Sequence, residues 1–126
     1  MGDIRVIRAA EMPPAASTTP GMDRHEAFVE DGVWTGTVRT EPGVLTGWHM
    51  HADYDTYIYV VSGSARIEYG PGGHLGDDAG PGDFVLIPRG IVHREGTSIG
   101  SNGVEAVLVR LGHGELVTNV EAPDPE

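Results

Sequence analysis

The sequence predicts an all-β fold, a sandwich or barrel formed as one domain, and three observations carry that prediction. Nineteen glycines and nine prolines divide 126 residues into many short apolar runs, as expected for short strands joined by tight turns. Several runs alternate with period two, as where Thr56, Ile58 and Val60 share one face and Tyr57 and Tyr59 the other. The length is near the common domain size and can bury a real core.

The elements follow in order. Strands are expected at about Ile4–Ile7, Val33–Thr40, Gly47–His51, Thr56–Val61, Ala65–Tyr69, Phe84–Ile87, Ile91–Glu95, Val104–Leu111 and Val117–Val120. Residues 1–30 read as an N-terminal arm. Glu11 to Gly21 is extended and rich in Pro, Ala, Ser and Thr, and Arg24–Val29 has room for one helical turn. Residues 31–120 form the barrel, and 121–126 an acidic, frayed tail. Ser62-Gly63 reads as a tight hairpin turn. Gly70-Pro71-Gly72-Gly73 and Gly80-Pro81-Gly82-Asp83 bracket a mobile polar loop.

Composition removes several function classes. Nineteen acidic residues against eight basic ones give a formal charge of -11, which repels phosphate backbones and anionic membranes, so neither nucleic acid nor membrane is an expected partner. All eight basic residues are arginine, which rules out a lysine Schiff base. With no cysteine there is no disulfide, thiolate nucleophile or iron–sulfur ligand set. The start, Met1-Gly2-Asp3-Ile4-Arg5, has no apolar stretch of the signal-peptide kind, and a cytoplasmic protein is expected. A homodimer would cover exposed sheet edges.

Two patterns carry the chemistry. The first is Gly43-x5-His49-x-His51-x4-Thr56-x6-Gly63 and the second Gly82-x5-Pro88-x-Gly90-x2-His93-x3-Thr97. On a strand, His49 and His51 point to the same face, and Met50 to the other. His93, arriving from a separate strand, can complete a facial set of imidazoles, the common ligands of Fe, Zn, Cu and Ni.

These spacings resemble the two motifs of the cupin superfamily, across positions 43 to 97, and the stretches 47–60 and 79–84 look like small single-domain bacterial cupins. The resemblance implies a jelly-roll barrel (a double-stranded β-helix) with one divalent transition metal in its mouth, held by His49, His51 and His93. Iron is the first expectation, with Zn, Ni, Mn, Cu or Co as alternatives. Two positions depart from the family. Thr56 stands where Glu is usual as a fourth ligand, and Thr97 where Asn is common. A neutral hydroxyl is a poor ligand, which leaves three neutral imidazoles. Asp55 would restore an acid by a shift of one position, but alternation turns Asp55 and Thr56 to opposite faces unless a bulge intervenes.

Around the ligands, alternation from His93 turns Glu95 and Thr97 inward. Glu95 is a candidate general base, partner to an imidazole or fourth ligand, against the plain reading of an ion pair with an arginine. Thr56, Ile58 and Val60 should line the interior with Ala65, Ile67 and Tyr69. Tyr69 either reaches into the pocket or packs in the core. Arg89, between Pro88 and Gly90, either grips a substrate carboxylate at the rim or pairs with a surface acid. His25 reads as a lid or surface residue, and His74 and His113 as solvated. Gly96-Thr97-Ser98-Ile99-Gly100 matches G-x-S-x-G but lacks the strand–elbow–helix context of a nucleophile.

Three functions fit a small-molecule substrate. A three-histidine dioxygenase comes first, since cupins with such sites include oxygenases. A redox-neutral isomerase, cyclase, dehydratase or lyase using a Lewis-acid metal comes second. A non-catalytic binding protein is third.

Overall fold

The computed structural model describes residues 2–15, 19–113 and 118–124. Among them, strands β1 (Met22–Glu30), β2 (Val33–Thr40), β3 (His49–Met50), β4 (Tyr54–Gly63), β5 (Ala65–Tyr69), β6 (Leu75–Ala79), β7 (Phe84–Ile87), β8 (His93–Thr97), β9 (Val104–Gly112) and β10 (Thr118–Asn119) form two antiparallel sheets. The first runs β1-β2-β9-β4-β7 and the second β10-β3-β8-β5-β6.

Register sets what faces inward. Across the first sheet Val38 pairs with Arg24 and Ala106, Leu108 with Gly36 and Ile58, and Arg110 with Trp34 and Thr56. The inner face is therefore apolar at one level and charged at the next. Met22, Trp34, Val38, Ile58, Ile87, Ala106 and Leu108 form the main buried cluster, with Val60, Ala79 and Val104 as a second. Outward residues of β4, Tyr57 and Tyr59, stay partly exposed, as alternation requires.

The structure corrects five expectations. Ile4–Ile7 forms no strand; Arg5 reaches Glu30 and the Phe28 ring of β1, while Ile4 and Val6 lie exposed. The second half of the presumed arm is not a helical turn: Met22–Glu30 is β1, joined to β2 by the two residues Asp31-Gly32. Asp-Gly between strands is a strong hairpin signal, but here the charged residues of β1 and a bulge between Glu26 and Val29 hide its alternation. The polar loop after Gly70 contains β6, an edge strand of sequence Leu-Gly-Asp-Asp-Ala paired with β5. Ser62-Gly63 is no hairpin, since β4 and β5 lie in different sheets. A bulge between Val60 and Ser62 bends β4, and Gly63, at φ +78°, lies so near Gly103 that a Cβ would stand 2.0 Å from its carbonyl oxygen. Finally, no backbone ladder joins β6 to β7 among the described residues, so the sheets face one another as a sandwich and are not closed into a hydrogen-bonded barrel. Part of the predicted strand Val117–Val120 lies outside the described residues, as does the end of the acidic tail; Thr118–Asn119 is β10.

Candidate metal centre

The ligand-bearing residues come from short elements pinned from both sides. β3 is only two residues long, and its His49 pairs with His93 of β8 on one side and Asn119 of β10 on the other. His51 follows directly, and its carbonyl accepts the Gly90 N–H at 3.0 Å, tying the two motifs together. The motif glycines Gly43, Gly63, Gly82 and Gly90 all take positive φ, a backbone conformation that favours glycine at each of these positions.

The three imidazoles are buried and their ring centroids lie 4.3 to 5.4 Å apart. Ligand atoms of His49, His51, His93 and Glu95 all fall within 4.8 Å of one another. Tautomers follow from the hydrogen bonds. His49 Nδ1 faces the Gly47 carbonyl at 2.9 Å, and His93 Nδ1 faces that of Ile91 at 2.9 Å. A carbonyl only accepts, so each Nδ1 carries the proton and each Nε2 presents a lone pair. His93 Nε2 and His51 Nδ1 are buried with no hydrogen-bond partner among the described residues. Idle nitrogens inside a protein are costly, and a shared cation is the simplest way to satisfy them. The donor set thus fits a transition metal.

Glu95 enters from β8 with its carboxylate 3.8 Å from His49 Nε2. Thr46, a residue that no motif flags, positions both: its Oγ1 accepts the Glu95 N–H at 3.1 Å and lies 3.5 Å from His49 Nδ1, while its own N–H donates to the Glu95 carbonyl at 2.8 Å. The next residue must be glycine, because a Cβ on Gly96 would stand 1.9 Å from the Val44 carbonyl oxygen.

Electrostatics keep His49 and His51 neutral. Burial pushes the His49 imidazole below its ordinary pKa, and burial together with the Arg110 charge pushes His51 down to about 4. Neutral imidazole is the ligating form. Burial works against ionisation of Glu95, but attraction to His93, His49 and His51 when they carry protons, and to Arg24, outweighs it and holds the carboxyl below its usual range.

The remaining candidates divide. Thr56 is buried and lines an interior cavity with Ile58, His51 and Glu95. Tyr69 lines a separate cavity, about 620 Å³, at the open β6–β7 seam, and the buried His93 forms part of its wall. Thr97 is buried but donates to the Glu41 carbonyl at 2.7 Å, away from the imidazoles, because β8 has moved one residue pair along. Arg89 is exposed and paired with a surface acid. It holds Asp55 through its side chain, at 3.3 and 3.1 Å, and its backbone N–H, which keeps that carboxyl below its normal range and makes Asp55 unavailable as a ligand. His25 lies within β1, His74 is exposed, and His113 pairs with Asp31 at 2.9 Å. Ser98 of the G-x-S-x-G stretch donates to Asp78 at 2.6 Å with no imidazole involved.

Sequence reasoning missed Thr46 and, more consequentially, two interior arginines. Arg110 is 4% exposed and stacks over Trp34 at 5.0 Å; Arg24 faces Glu95 from β1. Arg110 was legible, since period two from Val104, Ala106 and Leu108 places it inward. Arg24 was not, because β1 itself was unseen.

An antiparallel sandwich that gathers three imidazoles and a carboxylate at one point defines a small β domain with a donor set able to hold a metal ion. Residues 36–110 match the cupin domain family, and the chain belongs to it. No curated protein matches the sequence. Solved structures of the same fold include the polyketide cyclase RemF from Streptomyces resistomycificus, at 22% identity and TM-score 0.77 over 98% of this chain and 90% of that one. A conserved protein with a double-stranded β-helix domain from Klebsiella pneumoniae is similar at 19% identity and TM-score 0.72, over 93% and 92%. Oxalate decarboxylase from Bacillus subtilis is similar at 21% identity and TM-score 0.71, over 95% of this chain but 33% of that one. At these identities the likeness concerns the fold.

Proposed function

We propose that this cupin is a mononuclear metalloenzyme acting on a small organic molecule, and that its chemistry is redox-neutral proton transfer of the isomerase, cyclase, dehydratase or lyase kind. The observation that carries this reading is Glu95. The sequence left three neutral imidazoles and favoured an oxygenase; the structure returns a carboxylate to the cluster from the second motif. His49, His51 and His93 would hold the ion through unprotonated ring nitrogens. A bound divalent metal supplies Lewis-acid polarisation of a substrate carbonyl. Glu95, whose carboxyl lies below its usual range with Arg24 facing it, accepts a proton from the adjacent carbon and returns it elsewhere on the substrate. Thr46 holds its backbone while that happens. Neighbours of this fold that are named as a cyclase and a decarboxylase are in keeping with the proposal. An oxygen-dependent reaction is the second reading, favoured by the three neutral imidazoles; it requires that turnover stop under strict anaerobiosis.

Elemental analysis of protein purified without chelators or nickel resin should find about one transition metal per chain. Glu95→Gln should keep that metal and lower turnover by roughly two to four orders of magnitude. Full activity in the variant would remove Glu95 from the chemistry, and metal loss would make it a ligand.

A further inference from the structure

The two sheets treat their outer faces differently. An antiparallel sheet with one buried face normally carries polar groups on the other. The second sheet does so: outward Arg66, Glu68 and Arg94 join Asp78 in a chain of ion pairs. The first sheet does not. Register stacks its outward side chains in two rows, Leu86, Tyr57 and Val109 across β7, β4 and β9, then Phe84, Tyr59 and Val107. Both rows continue into threonines of β2, at Thr35 and Thr37. No charge interrupts them, in a chain whose formal charge is -11. A contiguous apolar patch of this kind marks an interaction surface.

Charge and area indicate what covers it. Ion pairs frame the rows at both ends, Arg39 with Glu105 at one and Arg89 with Asp55 at the other. Two copies of so acidic a chain repel over most of their surfaces. At this face the rows are neutral, and each end presents both signs, so an identical partner meets no net charge. A basic partner would instead be drawn to the acidic surface elsewhere. The partly exposed apolar residues of the rows offer on the order of 500 Å² per copy, taking roughly 150–250 Å² for each whole aromatic side chain. A standard interface buries about 800 Å² per partner, of which a little over half is apolar. The patch therefore has the size that a specific dimer needs.

We propose that this face binds the same face of a second copy, sheet against sheet, in a two-fold contact. Phe84 and Leu86 also wall the seam cavity, so the contact reaches the rim of that cavity. It needs no metal ion and is independent of the chemistry of the centre.

Sedimentation equilibrium of the full chain, over a range of micromolar concentrations, should give twice the 13.4 kDa chain mass. High salt should leave the dimer intact, because it screens two like-charged chains while the rows hold them by apolar burial. Val107→Glu puts an acid into the rows and should weaken association roughly tenfold or more. Should that variant not fold, Leu86→Glu, on the edge strand and half exposed, serves instead. Ile99→Glu, in the loop after β8 and fully exposed, is the control and should leave the dimer unchanged. A parent that stays monomeric throughout, a dimer that salt dissociates, a dimer untouched by whichever row variant folds, or one lost equally in the control would each overturn the contact.

Discussion

His51 is the side chain most exposed to conflicting demands. It is a candidate ligand, it is buried at 2% exposure, and it sits near Arg110. Burial and that charge lower its pKa from 6.5 to about 4. In the unfolded chain the imidazole takes a proton near the ordinary value, while the folded form resists until about 4. The unfolded state therefore binds more protons in that window, and stability must fall as pH drops from 6.5 towards 4. The loss is on the order of 3 kcal/mol for the metal-free protein. Glu95 works in the same direction, since its lowered pKa contributes stability that disappears as pH falls through the folded value. Urea midpoints of stripped protein across pH 7 to 4 should show the slope, and His51→Gln should flatten it. An equal slope in the variant would assign the acid sensitivity to other groups.

At the scale of the element, β8 carries more of the site than its five residues suggest. It brings His93 and Glu95 inward and fits Gly96 against the Val44 carbonyl. Gly96→Ala should cost about 1–3 kcal/mol and weaken metal retention as well, because the displaced strand takes Glu95 with it. Melting temperature and elemental content of the one variant check both; a tolerated alanine would mean the Val44 segment moves freely. The same strand shows what was readable beforehand. Imidazole spacing and turn-forming glycines identified the family and placed His49, His51 and His93, because ligand geometry and positive φ restrict residue type strongly. Alternation placed Glu95 inward for the same reason. It failed for β1 and β6, whose charged residues mask the period, and it overextended for Thr97, which turns inward but bonds to Glu41. Thr46 was invisible because a threonine acting through backbone contacts between distant segments leaves no periodic trace.

The distribution of charge is a property of the whole molecule. Arg5, Arg39, Arg66, Arg89 and Arg94 pair with carboxylates on the surface, while Arg24 and Arg110 are turned inward. The exterior is therefore strongly acidic, with these five cations already engaged, a balance that disfavours polyanions. One region escapes that charge. Phe84 and Leu86 of edge strand β7 are 77% and 52% exposed, beside Tyr57 and Tyr59. The homodimer expected from unpaired edges would use this face. Light scattering should give twice the chain mass, and Phe84→Glu should return a monomer; a monomeric parent would refute it. The open join between β6 and β7 has its own consequence. Among the described residues the Gly80–Asp83 turn joins the two strands and no ladder does, so a guest can wedge the two layers apart there without breaking one. The rest of the framework would stay rigid while it entered and left.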